Sequence, residues 1–276
     1  MSHFDYSITA EPASFRERLA EIVSHKELLW MLALRDTLVR FKQTYAGLAW
    51  LILKPFLLLV ALTFLFGRIT RFDSTAAEPY ALVVLAGLIP WQFLAASLTD
   101  ITGSLNANRG IITKVYFPRI LIPAASLFTA VADLIVALVL LVGIYAWYGY
   151  MPGWQLLALP FLLLLLFTFS MGIGIWMCAL NAQYRDVQYL LPFMLQLGMY
   201  LSPVAYKSSQ VPDEWLWLYH LNPVAGIIEG FRWCLLNGTS GFQWKVLGVS
   251  TLVSVVLLLS GLRYFYRVEK KLVDVL

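Results

Sequence analysis

The sequence predicts an all-α integral membrane protein: six transmembrane helices, an N-terminal amphipathic interface helix, and a re-entrant outer hairpin between spans five and six. Three observations carry that expectation. Of the 276 residues, 60% are hydrophobic and 13% charged, against about 45–50% and 25% in soluble domains, so most side chains must face lipid or one another. Apolar runs near the roughly 20 residues that cross a hydrocarbon core recur at 48–66, 80–101, 120–147, 155–180, 187–205 and 244–263. The basic residues are also unevenly divided between the two sides these runs define.

The first 13 residues form a polar tail. They carry Asp5 and Glu11 and lack a charged n-region leading into an apolar stretch, so no cleavable signal is expected. Residues 14–45 are too charged to span, yet Phe15, Leu19, Ile22 and Leu29, then Leu34, Leu38, Phe41 and Tyr45, recur at helical spacing. Ser14 with Glu17 three residues on fits a capping box. A helix with one apolar and one basic face lies in the interface plane; it reads as an anchor or, more sharply, as part of a docking surface for a partner.

In the first span Lys54 lies close enough to the start to snorkel back to headgroups. The second span holds Pro90-Trp91-Gln92-Phe93 about ten residues in, deeper than an interfacial aromatic belt. Trp91 and Phe93 are candidates to face a wide path, where ring faces let sugar rings slide without fixed hydrogen bonds. The connection 104–120 mixes Asn106, Asn108, Arg109 and Lys114 with Ile111, Ile112 and Val115, a short half-apolar helix suited to a groove on another protein. Pro118 is expected in the first turn of the third span. Asp133, near that span's middle, is either a functional group or a carboxyl hydrogen-bonded between helices.

Residues 206–242 hold two runs too short to cross, DEWLWLYHL after Pro212 and VAGIIEGFRWCLL after Pro223. They read as a re-entrant hairpin, or as a peripheral outer hairpin, with Glu229 and Arg232 three apart on one face and able to pair. Asn237-Gly238-Thr239 fits a glycosylation sequon, a pattern short enough to arise by chance. Residues 266–276 form a tail.

Charge then sets orientation. Arg16, Arg18, Lys26, Arg35, Arg40, Lys42, Arg109, Lys114, Arg119, Arg185, Arg263, Arg267, Lys270 and Lys271 fall on one side. Arg68, Arg71, Lys207, Arg232 and Lys245 fall on the other. The positive-inside rule therefore expects both termini in the cytoplasm. The net charge of +4 belongs to topology and anionic lipid contact, not to nucleic-acid binding. Cys178 and Cys234 are expected as buried thiols, without disulfide or metal. His3, His25 and His220 lie outside the spans, which leaves no constellation for membrane-embedded catalysis.

Several stretches, taken in order, resemble the permease subunit of bacterial type-2 ABC exporters of polysaccharide, the family that handles O-antigen, capsule and teichoic-acid chains. They are RFKQTYAGLAWLILKPF (40–56), GLIPWQFLAASL (87–98), NANRGIITKVYFPRILIP (106–123), NAQYRDVQYLLPF (181–193), YLSPVAY (200–206) and LNPVAGIIEGFR (221–232). The resemblance makes 46–265 a type-2 transmembrane domain and implies a homodimer in the bacterial inner membrane with two copies of a separate ABC ATPase. It implies ATPase coupling at Asn108, Arg109 and Lys114 and at Tyr184, Arg185 and Asp186. It also implies an outer gate at Ser202, Pro203, Tyr206, Asn222 and Pro223, to which the pair Glu229 and Arg232 is joined. No GxxxxGK[ST] loop occurs in the sequence, so the chain itself is expected to bind no cofactor, with ATP and magnesium on the partner. The expected substrate is a lipid-linked glycan. A type-2 permease for a small hydrophobic drug or lipid is the alternative, and a proton-coupled secondary transporter using Asp133 a weaker one, since no inverted repeat is evident.

The charge division yields a topology test. Single cysteines introduced in 67–79, 149–153 or 208–220 should react with an impermeant thiol reagent added to intact cells, and those in 104–117 or 266–276 should not. Labelling of the C-terminal tail from outside would reverse the orientation.

Overall fold

The computed structural model describes residues 21–42, 47–69, 78–115, 117–184, 186–206, 211–238 and 242–275. Ser14 and Glu17 of the expected capping box, and Arg185, lie outside them. The described residues contain helices and no strand: α1 (Lys26–Lys42), α2 (Gly47–Ile69), α3 (Tyr80–Ala107), the short α4 (Arg109–Ile112), α5 (Leu121–Tyr148), a 3-10 turn (Trp154–Ala158) leading into α6 (Leu159–Gln183), α7 (Asp186–Leu201), α8 (Asp213–Leu221), α9 (Pro223–Leu235) and α10 (Trp244–Val275).

Four of these are long and apolar enough to cross a membrane: Tyr80–Ala107, Leu121–Tyr148, Trp154–Gln183 and Trp244–Glu269. The expected first and fifth spans are the shorter ones. The apolar part of α2 is Ala49–Leu65, and α7 has 16 residues with Pro192 inside it. Two boundaries move outward from the sequence expectation. α3 continues to Ala107, taking the first residues of the expected 104–120 loop, and α10 continues through the expected tail. Helical hydrogen bonds close within the segment and do not stop where hydrocarbon stops. Pro118 stands ahead of α5, in a turn where its carbonyl accepts from Leu121 N at 3.1 Å.

Pairwise contacts give the directions. Phe93 stacks on Phe167 with centroids 4.9 Å apart, and Asn181 Nδ2 donates to Thr102 O at 2.9 Å, so α3 and α6 run parallel. Trp176 Nε1 donates to Ser260 Oγ at 3.1 Å and Gln183 Nε2 to Tyr264 Oη at 3.1 Å, so α10 runs the same way. The C-terminal ends of α3, α6 and α10 therefore gather at one end of the bundle, beside α4. Arg119 Nη1 donates to Glu269 O at 2.8 Å there, and α1 packs on α5 at that end. The helices nearest the two chain termini thus lie at the α4 end.

Two cores divide the length. One, centred on α3, α6 and α9, holds Leu82 to Ile89, Phe169, Ile228 and Phe231; the other, at the α4 end, holds Leu32, Ile101, Leu121, Cys178 and Phe265. The side of α1 that enters the second core is Leu32 and Ala33, with Leu29, and Ile22 just ahead of α1, half-buried, whereas Leu34 and Leu38 of the expected apolar face are exposed beside Trp30 and Met31. A helix between protein and lipid is apolar on both contacts, so hydrophobic spacing alone does not say which side the protein takes. Among the described residues, long apolar faces of α2 (Trp50, Phe56, Leu57) and α7 (Tyr189, Phe193, Tyr200) are exposed.

Close crossings rest on glycine. A Cβ on Gly172 would meet Leu258 N at 2.7 Å, backbone against backbone, whereas one on Gly143 would meet nothing within 4 Å. Gly172→Ala should therefore lower stability by about 1–3 kcal/mol through overpacking. Gly143→Ala should be neutral or gain about 0.5–1 kcal/mol from helix propensity. Thermal unfolding of the two variants in one detergent checks the contrast, and equal midpoints would refute the tight α6–α10 crossing.

Candidate functional site

At the α4 end the chain breaks from α3 into α4 at Asn108. Its backbone (φ −106°, ψ 16°) leaves the helix while its N–H still reaches Ser104 O at 3.1 Å. The Asn108 side chain is buried: Nδ2 donates to Ser104 O at 3.0 Å and Oδ1 accepts from Arg35 Nη2 of α1. This residue, expected as a coupling contact, is a joint locked from inside. The surface beyond it is α4 and the turn that follows. Arg109 is half-buried and donates to Asn106 Oδ1 at 3.2 Å, Lys114 is exposed, and Ile111 and Ile112 rest on the second core. The α6–α7 break reaches the same end. Tyr184, exposed with extended backbone, closes α6 by donating its N–H to Leu180 O at 2.7 Å, and Asp186 is exposed in the first turn of α7. The sequence placed the two surfaces apart along the chain; the parallel course of α3 and α6 brings them to one end.

Between α1, α3 and α5 lies a charge cluster. Arg40 Nη2 donates to Asp133 Oδ2 at 2.9 Å, and its Nη1 lies 3.6 Å from Asp100 Oδ2. That same Asp100 oxygen accepts from Thr129 Oγ1 at 2.7 Å. Asp133 is thus a carboxyl hydrogen-bonded between helices, one of the two readings its position allowed, and its partner is an arginine of α1. Asp100 went unremarked in the sequence, and Arg40 was read only as one of the basic residues that set orientation. The signal available was an acidic residue at the edge of the second span and a basic one at the end of the amphipathic segment, each ordinary by itself.

The opposite end is built around Arg232, 2% exposed. Its guanidinium donates to three backbone carbonyls: Val83 O at 3.3 Å, Tyr206 O at 2.7 Å and Val204 O at 2.8 Å. The Glu229–Arg232 pair expected from their spacing does not form. Glu229 accepts from Tyr219 Oη at 3.2 Å, and the ion pairs among the described residues are those of Arg35 and Arg40. Carbonyls left without partners by the turn after α7 capture the fork because its planar donors reach several of them at once. Ser202, Pro203 and Val204 are buried in that turn, Tyr206 is half-buried, and Tyr80 Oη donates to Ala205 O at 2.6 Å. Asn222 caps α9, its Oδ1 accepting from Val224 N at 3.0 Å ahead of Pro223 in the first turn, and its Nδ2 donates to Ser202 Oγ at 3.3 Å. The expected gate residues are therefore brought together.

α9 itself is buried from Ala225 to Arg232. Gly226 lies against Ser250 and Val246, and Gly230 against Leu247 and Leu162, so α9 runs antiparallel to α10 with the α8–α9 corner further along α10. Near its other end Tyr145 Oη donates to Leu235 O at 2.6 Å and Gln155 Nε2 to Asn237 O at 3.0 Å. Asn237, with φ 55°, has both amide atoms engaged, by Gly153 N and by Met151 O. Trp91 and Phe93 are enclosed by the subunit, 6% and 1% exposed. A Cβ on Gly198 of α7 would stand 2.9 Å from Trp91 Cη2, so the indole fills the α3–α7 crossing, while Phe93 is covered by Phe167.

The family model described as "ABC-2 type transporter" matches residues 27–236. The chain belongs to the ABC-2 type transporter family. The matched region starts in α1 and ends just past α9, so it spans the Arg40 cluster, the α4 turn and the Arg232 anchor. Among its relatives, the O-antigen export system permease protein RfbA of Klebsiella pneumoniae is 27% identical over 251 residues, 91% of this chain and 95% of that protein. A protein of the same description from Myxococcus xanthus is 26% identical over 214 residues, 77% and 81% of the two chains. The polysialic acid transport protein KpsM of Escherichia coli is 25% identical over 228 residues, 81% and 88%.

The Arg232 anchor predicts an asymmetric substitution series. Arg232→Leu removes the donors of three carbonyls, and each buried unsatisfied group costs about 1–3 kcal/mol, so little monodisperse protein should survive detergent extraction. Arg232→Lys, a point charge without the fork, should recover part of the yield. A wild-type melting midpoint for Arg232→Leu would refute the anchor.

Proposed function

We propose that this chain is the permease subunit of an ATP-driven exporter of a lipid-linked, O-antigen-like polysaccharide. It works in the bacterial inner membrane as a homodimer with two copies of a separate ABC ATPase, which hold the ATP and magnesium. The observation that carries this reading is the likeness to O-antigen export permeases along 91% of the chain, in a family whose match covers the helices from α1 to α9. The geometry supports it at both ends. α4 and the α6–α7 break present Arg109, Lys114, Tyr184 and Asp186 at one end, the arrangement an ATPase groove needs. At the other, α8 and α9, of 9 and 13 residues, are too short to cross; α9 is buried from Ala225 to Arg232 while α8 exposes Trp215 and Leu221, and a short helix enclosed by the bundle supports a re-entrant outer gate. Six spans follow if α2 and α7 also cross. Both termini are then cytoplasmic, as the basic residues of the α4 end favour. The uncovered faces of α2 and α7 are the surfaces a second copy would take. Trp91 meets the glycan in a state where α7 parts from α3, and Phe93 in one where α6 also gives way, because the subunit encloses both here. Asp133, paired to Arg40, is poorly placed for the proton relay that a secondary transporter needs.

Loss of the chain should leave the lipid-linked glycan on the cytoplasmic face, and the purified chain alone should hydrolyse no ATP. Arg109→Glu with Lys114→Glu should cut glycan export about tenfold or more while membrane level and insertion stay normal. Surface glycan measured per membrane-inserted permease checks this, and wild-type export in the double variant would remove α4 from the ATPase contact.

A further inference from the structure

α1 holds α3 at two places. Arg35 Nη2 bonds Asn108 Oδ1, at the joint where α3 becomes α4. Arg40 reaches Asp100, eight residues before that joint, and Asp133 of α5. Stability is a weak reason for the second contact, because the Arg40 side chain is 40% exposed and pairs so placed contribute little. Geometry is the better reason. One planar guanidinium lies between carboxylates on two helices, and without it Asp100 and Asp133 would face each other as like charges at the end where α4 is moved.

We infer that Arg40 is a positioning residue for export: it clasps α1 to α3 in its last third and to the middle of α5, so that displacement of α4 by the ATPase moves three helices together. The inference rests on the exporter reading above. In the complex of this chain with its ATPase, reconstituted in liposomes, the measured quantity is glycan exported per ATP hydrolysed. Arg40→Gln should lower that ratio about fivefold or more while hydrolysis itself continues. Arg40→Lys should keep most of the ratio, and the exchange Arg40→Asp with Asp133→Arg should restore part of it. A wild-type ratio in Arg40→Gln, or export and hydrolysis falling together in proportion to folded protein, overturns the clasp. If Arg40→Gln does not accumulate, Asp133→Asn is read the same way.

Hydrogen exchange of the same complex separates the clasp from the exporter reading. With ATP added, the amides of α1 and of 100–108 should change protection together in the wild type, and 100–108 alone in Arg40→Gln. Joint change in both proteins overturns the clasp. A wild-type complex that moves no glycan overturns the exporter reading instead, and the exchange result then still decides the clasp.

Discussion

Broken helix in a low-dielectric setting must find internal partners for its carbonyls, and in this molecule one guanidinium supplies them. The chain stops being helical after Leu201 and turns through Ser202–Tyr206 ahead of α8 and α9, leaving backbone oxygens that need internal partners away from water. Arg232 reaches two of them and a third on α3. The rest of that end follows. α9 can be short because it is surrounded, Gly87 must lack a side chain because Val204 O would stand 2.7 Å from its Cβ, and Asn222 can cap α9 while bonded to Ser202. A buried charge is costly when alone. Here all three nitrogens of the fork donate to carbonyl dipoles, and the carboxylate expected as its partner bonds a tyrosine instead.

The other end is organised by a different device. Joints at Asn108 and Tyr184 interrupt long helices where they leave the bundle, and arginines of α1 brace the first of them. The two ends therefore differ in kind: a dry, carbonyl-saturated corner at one, and a partly exposed set of ion pairs around a turn at the other. The stacked and hydrogen-bonded course of α3, α6 and α10 joins them.

Much of this was legible in the sequence because hydropathy and proline report directly on helix existence. The second, third, fourth and sixth apolar runs became helices within a few residues at their starts, and Pro223 marked α9. Helix ends that leave the apolar zone were not legible, since Thr102–Ala107 and Arg263–Val275 carry polar residues yet keep intact backbone hydrogen bonds. Pairing was the weakest inference. Spacing on one helix suggested Glu229 with Arg232, but partners are chosen by what lies across the packing, and the carbonyls of Val83 and Val204 are more than 25 residues away in sequence. For the same reason Asp133 looked solitary until α1 folded against α5. Trp91 and Phe93 were read as too deep for a belt, but position along a span does not say whether a ring faces a lumen or a neighbouring helix, and here both rings meet neighbouring helices.

The packing along α9 also bears on what the subunit keeps out. From Ala225 to Phe231 the helix is buried against α3, α6 and α10, its glycines admit Ser250 and Leu162 at contact distance, and its one carboxylate and one guanidinium are both hydrogen-bonded. A hydrated ion has no file of water to follow through such a region, and an unhydrated one meets the full cost of leaving water. Packed so closely, α9 leaves no room for a file of water between its own buried stretch and α3, α6 or α10.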